Sequence, residues 1–196
     1  MSVLLISGSP SQRSRSSALL QSVGERLKER GILVSSLQVK DLSPQALLLA
    51  DFNHPSVLGA TEEVAGAKVI VIATPVYKAA YSGALKVLLD LLPQTAFKGK
   101  AVLPLATGGS PHHMLALDYA LRPVLQSLGA RHILPGIYAT DSQVALPPEG
   151  GVVIDGEVDR RINEAVQLLL EDYLAEDFSK FGHFKSIPFS QVRCSV

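Results

Sequence analysis

Short apolar runs alternate with amphipathic segments along most of this chain. Val3 to Ser7 is apolar and reads as a buried strand, and the pattern breaks at Gly8 into a loop of serines and arginines. A helical period follows from Ser16 to Arg30, with Ala18, Leu19, Leu20 and Val23 on its apolar face and Gly31 as its stop. Ile32 to Val39 predicts a second strand, Asp41 to Phe52 a loop with an apolar insert, and His54 to Ala67 a helix. Lys68 to Ala73 holds Val69-Ile70-Val71-Ile72, apolar on both faces as a central parallel strand requires. Ser82 to Leu92 predicts a helix, Lys100 to Ala106 a strand, His112 to Leu128 a long helix, Arg131 to Ala139 a fifth strand, and Asp155 to Asp177 a last helix.

Five strands separated by helices imply an α/β three-layer sandwich with one parallel sheet. The expected strand order is 2-1-3-4-5, which places a ligand at the switch point between strands one and three. The loops after Ile6 and Ala73 should then converge. One domain is expected over residues 1–177, with a tail of unassigned role over 178–196. Leu146 to Gly151, rich in proline and glycine, reads as a turn or mobile loop.

Four stretches carry candidate chemistry. Gly8 to Ser17 joins a strand end to a helix N-terminus, where free N–H groups and the helix dipole favour an anion. It has one glycine where a dinucleotide loop needs three, and hydroxyls in place of the others, which suits a phosphate monoester such as that of FMN. The plain alternative is a serine-rich cap with two solvated arginines. Ala73 to Gly83 should lie beside it, held extended by Pro75, with backbone N–H groups for a flat heterocycle and Tyr77 or Tyr81 at its edge. Lys78 is placed to put charge near a reduced ring or simply to face solvent. In Leu105 to His113, Gly108 and Gly109 let backbone approach a ring, Thr107 and Ser110 can donate, and His112 and His113 are candidates for a flavin or nicotinamide contact. Pro111 after Ser110 also reads as an ordinary helix start. Two adjacent histidines without a third ligand at sensible spacing predict no metal site. In the fourth stretch Pro123 opposes the carbonyl of Tyr119 within a helical pattern. A kink and a π-bulge fit that conflict equally well.

Composition narrows the partners. The 196 residues carry 18 Lys plus Arg and 18 Asp plus Glu, for zero formal charge. That speaks against nucleic-acid binding and against a strongly acidic electron carrier, and it leaves oligomerisation unopposed by self-repulsion. The single cysteine, Cys194, forms no intrachain disulfide, consistent with a reducing cytoplasm. No signal peptide and no membrane-spanning run are expected.

Gly8-Ser9-Pro10 with Ser14 to Ser17, Ala73 to Lys86, Leu103 to Gly109, Asp118 to Leu121 and Asp141-Ser142-Gln143 together resemble the flavodoxin-like NAD(P)H-dependent FMN reductases. The likeness is nearest to the reductase component of two-component alkanesulfonate monooxygenase systems and covers about residues 1–145. It implies that Ser9, Ser14, Arg15 and Ser16 hold the FMN phosphate. It implies that Pro75, Val76 and Tyr77, with Thr107, Gly108 and Gly109, hold the isoalloxazine, and Lys78 stays a cofactor-binding candidate from its place in the same loop. It matches Tyr119 to a π-helix at a tetramer interface, a feature that the family associates with flavin released as a substrate, and this favours the bulge over the kink. The implied reaction is hydride transfer from NADPH or NADH to FMN, with reduced flavin passed to a sulfonate-cleaving monooxygenase. The nicotinamide must stack on an open flavin face, and no acid, base or nucleophile of the protein is needed, so no catalytic residue is nominated.

Overall fold

The computed structural model describes residues 2–174. The tail over 178–196, Cys194 and the last residues of the helix expected to reach Asp177 lie outside the described residues. Strand β1 (Ser2–Ser7) leads into α1 (Arg15–Glu29), β2 (Leu33–Gln38), α2 (Pro44–Leu48) and α3 (Pro55–Gly66). Then come β3 (Val69–Tyr77), β4 (Ala80–Tyr81), α4 (Gly83–Leu91) and β5 (Ala101–Gly108). A 3-10 turn (Pro111–Leu115) and a π-helical turn (Leu117–Leu121) precede α5 (Arg122–Ser127). The chain finishes with β6 (His132–Ile133), β7 (Ile137–Thr140), the hairpin β8 (Val144–Ala145) and β9 (Val153–Ile154), and α6 (Gly156–Asp172).

The parallel sheet runs β2-β1-β3-β5, with β6 and β7 both pairing β5 on its far side. This is the order expected from the sequence, with two differences. The fifth position is split in two, because Pro135 offers no N–H to the ladder and Gly136 lies under Leu117, whose Cδ1 would be 2.8 Å from any Cβ there. The third strand runs on past Ala73 and pairs antiparallel with β4, which brings the sheet to seven strands.

Alternation along the strands builds two cores. Leu4, Ile6, Ile70 and Ile72 face α3, α4 and α5, packing with Leu85, Leu88, Leu121 and Leu125. Val3, Leu5, Val69 and Val71 face α1 and α6, packing with Leu19, Val23, Ile162 and Val166. The apolar insert expected in a loop forms α2, whose Ala46 packs with Val57 and Leu91. Helix starts are capped as their sequences direct: Ser14, Ser82 and Asp155 accept N–H groups of Ser17, Leu85 and Glu157.

The expected long helix over His112 to Leu128 is broken. The N–H of Arg122 reaches back five residues to the carbonyl of Leu117. The wide turn absorbs the residue that Pro123 would otherwise force against Tyr119, so the conflict is resolved by a bulge.

Candidate functional site

The ends of β1 and β3 are locked together. Gly8 N–H donates to the Ala73 carbonyl at 2.7 Å. Ser82 Oγ, at the cap of α4, donates to the Gly8 carbonyl, and Ser82 N–H donates to Thr74 Oγ1 at 2.9 Å. Gly8 is required by space: a Cβ on it would stand 2.7 Å from Leu85 Cβ and 3.1 Å from the Ala73 carbonyl. These bonds, made by groups hidden from solvent, fix the angle at which the serine loop leaves the sheet.

An open cavity of about 260 Å³ lies above this junction. It is lined by Ser9, Ser14 and Arg15 from the loop after β1, by Pro75, Val76 and Tyr77 at the end of β3, and by Thr107, Gly108 and Gly109 at the end of β5, where Pro75 and Thr107 are neighbours in the ladder. The expected convergence therefore occurs, and a third strand end, that of β5, joins it. Ser9 is almost wholly buried, and its Oγ accepts the Ser11 N–H at 3.2 Å. Ser14 Oγ meets Ser16 Oγ at 2.9 Å and accepts the Ser17 N–H at 3.4 Å. The first N–H groups of α1 have no partner within the helix, and its dipole adds positive potential at the same end.

Three expected residues stand outside the cavity wall. Ser16 is fully buried behind the loop, where its hydroxyl holds Ser14. Lys78 and Ala79 form the tip of the β3–β4 hairpin, both with left-handed backbone, φ 49° and 63°. A two-residue hairpin loop needs that geometry, and neither residue is the glycine or asparagine that adopts it cheaply. Tyr119 lies on the π turn, 78% exposed. His112 and His113 belong to the 3-10 turn and do not line the cavity. Tyr81 packs against the core, and burial raises its pKa.

Three further lining residues, Ser11, Arg13 and Asp141, are not among the expected flavin contacts, although Asp141 belongs to one of the motifs that carry the resemblance. Arg13 Nη2 donates to the carbonyls of Leu146 and Pro147 at 3.2 and 2.8 Å. Arg15 Nε donates to the Val144 carbonyl at 3.0 Å, and its Nη1 lies 3.8 Å from Asp141 Oδ2. Both arginines are thus tied to the β8–β9 segment. The ion pair is half exposed and contributes little to stability, and the bond from Nε to the Val144 carbonyl aims the rest of the Arg15 fork. The sequence signal for Asp141 was its place at the end of the fifth strand, where open α/β sheets gather ligand-binding loops.

A family model for NADPH-dependent FMN reductase matches residues 1–145. The chain belongs to that family. Among its curated relatives, the FMN reductase (NADPH) of Escherichia coli (strain K12) is 51% identical over 144 residues, 74% of this chain and 75% of the relative. The FMN reductase (NADPH) of Pseudomonas putida (strain KT2440) is 54% identical over 145 residues, 74% of each chain. Of solved structures, the apo form of NADH:FMN oxidoreductase (EMOB) superposes with a TM-score of 0.80 at 38% identity, covering 91% of this chain and 92% of that one. The matched residues of this FMN reductase family member take in all three loops around the cavity and stop at the start of the β8–β9 hairpin.

Proposed function

We propose that this protein reduces FMN with NADPH, binding both in the cavity where β1, β3 and β5 end. The observation that carries the reading is the asymmetry of that cavity. Its hydroxyl and arginine end suits a dianionic phosphate, and its backbone-edged walls suit a planar ring. Bound FMN would supply the hydride-accepting ring. The chain's part is to hold and orient. Ser9, Ser14 and Arg15 take the phosphate, with Ser16 bracing Ser14. Pro75, Val76 and Tyr77 and, beside them in the sheet, Thr107, Gly108 and Gly109 lie along the ring, and the open side admits the nicotinamide.

The names of the two relatives, FMN reductase (NADPH), make FMN what is reduced. In this protein FMN acts as a substrate that leaves. The π turn at Leu117–Leu121 supports this through the family association given above. The same turn presents Tyr119, with Met114 and Leu115 nearby in sequence also exposed, as an apolar face for a second copy, in keeping with a homotetramer. The reduced flavin would go to a sulfonate-cleaving monooxygenase in the cytoplasm. No helix among the described residues is long and apolar enough to cross a membrane.

The test is NADPH oxidation by protein stripped of flavin. Turnover that requires added FMN, by a colourless protein, is expected. A yellow protein that keeps FMN through dialysis and passes electrons to quinones or azo dyes would replace the substrate role with a resident one. No turnover with free FMN would remove the enzymatic reading altogether.

A further inference from the structure

Gly108 and Gly109 meet different surroundings. A Cβ built on Gly109 would find nothing nearer than Asp141 Oδ2, at 3.8 Å. A Cβ on Gly108 would lie 2.7 Å from Tyr138 Oη and 3.3 Å from Val76 Cβ. Neither glycine has a left-handed backbone, so position 108 needs glycine because a phenol hydroxyl occupies the space.

Tyr138 sits in β7, opposite Ala106 of β5, and is 7% exposed. It does not line the cavity. Its hydroxyl donates to the Ser110 carbonyl at 2.6 Å. Its own carbonyl accepts Arg161 Nη1 at 3.1 Å, and the Gly136 carbonyl accepts Nη2 of the same side chain at 3.4 Å. Helix α6 thus grips β7, and β7 grips the Gly108–Ser110 turn through one hydroxyl. Burial, with the Asp141 charge adding to it, raises the pKa of that hydroxyl.

We propose that Tyr138 is a positioning residue for the flavin: its hydroxyl sets the close packing of the Gly108 backbone and the height of the Gly109 ledge against which the ring lies. The proposal rests on the reading that Thr107 to Gly109 face the isoalloxazine. Tyr138 acts only through that ledge and touches neither cofactor.

Tyr138→Phe keeps the ring and removes the tether. The dissociation constant and KM for FMN should rise about fivefold, the equivalent of one lost buried hydrogen bond. Riboflavin should lose the same factor, because the serine and arginine end is untouched, while kcat stays within about twofold of wild type. Gly108→Ala should weaken FMN binding more in the wild-type background than in Tyr138→Phe, where the added methyl can use the space left by the hydroxyl. Should Gly108→Ala not fold, the double variant should still recover Tm. Unchanged flavin affinity in Tyr138→Phe overturns the proposal. So does a Gly108→Ala defect of the same size in both backgrounds, or a double variant no more stable than Gly108→Ala. Wild-type protein that binds no FMN would instead remove the functional reading on which the proposal stands.

Discussion

At one end of the cavity Ser9, Ser14 and Arg15 offer hydroxyls, a helix N-terminus and a guanidinium within a seven-residue stretch of chain. At the other end, Thr107, Gly108 and Gly109 offer backbone held in place by Tyr138, thirty residues on, and by Arg161 beyond that. The first end is local chemistry: the residues that recognise an anion are also the residues that build the loop. The second is tertiary: the residues that face the ring do not determine where they sit. Affinity for the phosphate should therefore respond to substitutions in the loop itself, and affinity for the ring to substitutions behind it.

The change that should damage both ends most is Gly8→Ala. The new Cβ would press on Leu85 and on the Ala73 carbonyl, where β1, β3 and α4 meet. Overpacking of this kind costs about 1–3 kcal/mol and should lower Tm by roughly 5 °C, with FMN and riboflavin binding weakened together. A calorimetric scan and a flavin titration check it, and a Tm equal to wild type would mean the junction is looser than its contacts imply. Arg15→Ala should separate the two ends. At low salt, FMN affinity should fall about tenfold through loss of the charged fork, while riboflavin affinity stays near wild type. An equal loss for both flavins would move Arg15 out of the phosphate site. Gly109→Ala should do the reverse, weakening FMN and riboflavin alike by about threefold with Tm unchanged, since the methyl meets nothing nearer than Asp141 Oδ2, at 3.8 Å. The smallest effect should come from Asp141→Asn. Removing a half-exposed negative charge beside Arg15 should tighten FMN about twofold in low salt, and the gain should vanish in high salt.

The same division governs what could be read from the sequence. Strand order and the both-face burial of Val69 to Ala73 follow from periodicity, and the structure has them; turn chemistry places a serine loop at the end of β1, and it lies there. The clash between Pro123 and Tyr119 is visible as a conflict that the residues alone leave open between kink and bulge; the family resemblance favours the bulge, which the Arg122 N–H bond to the Leu117 carbonyl shows. Helix α2 reads as loop in the sequence because its apolar run is short and Ala46's partners, Val57 and Leu91, come from two other helices. The hairpin at Lys78-Ala79 carries no glycine or asparagine to announce a left-handed turn, so pairing of Tyr77 with Ala80 decides it instead. Ser16, from the same loop as Ser14, turned inward because the first turn of α1 buries that face. Tyr138 gave no signal at all. Its hydroxyl matters only because β5 and β7 lie side by side.

A crystal structure of this protein with FMN bound would test the central claim most directly. The phosphate is expected within hydrogen-bond distance of Ser9, Ser14 and Arg15, with the tricyclic ring lying along both Pro75 to Tyr77 and Thr107 to Gly109. FMN bound anywhere else, with that cavity closed by its own side chains, would contradict the account.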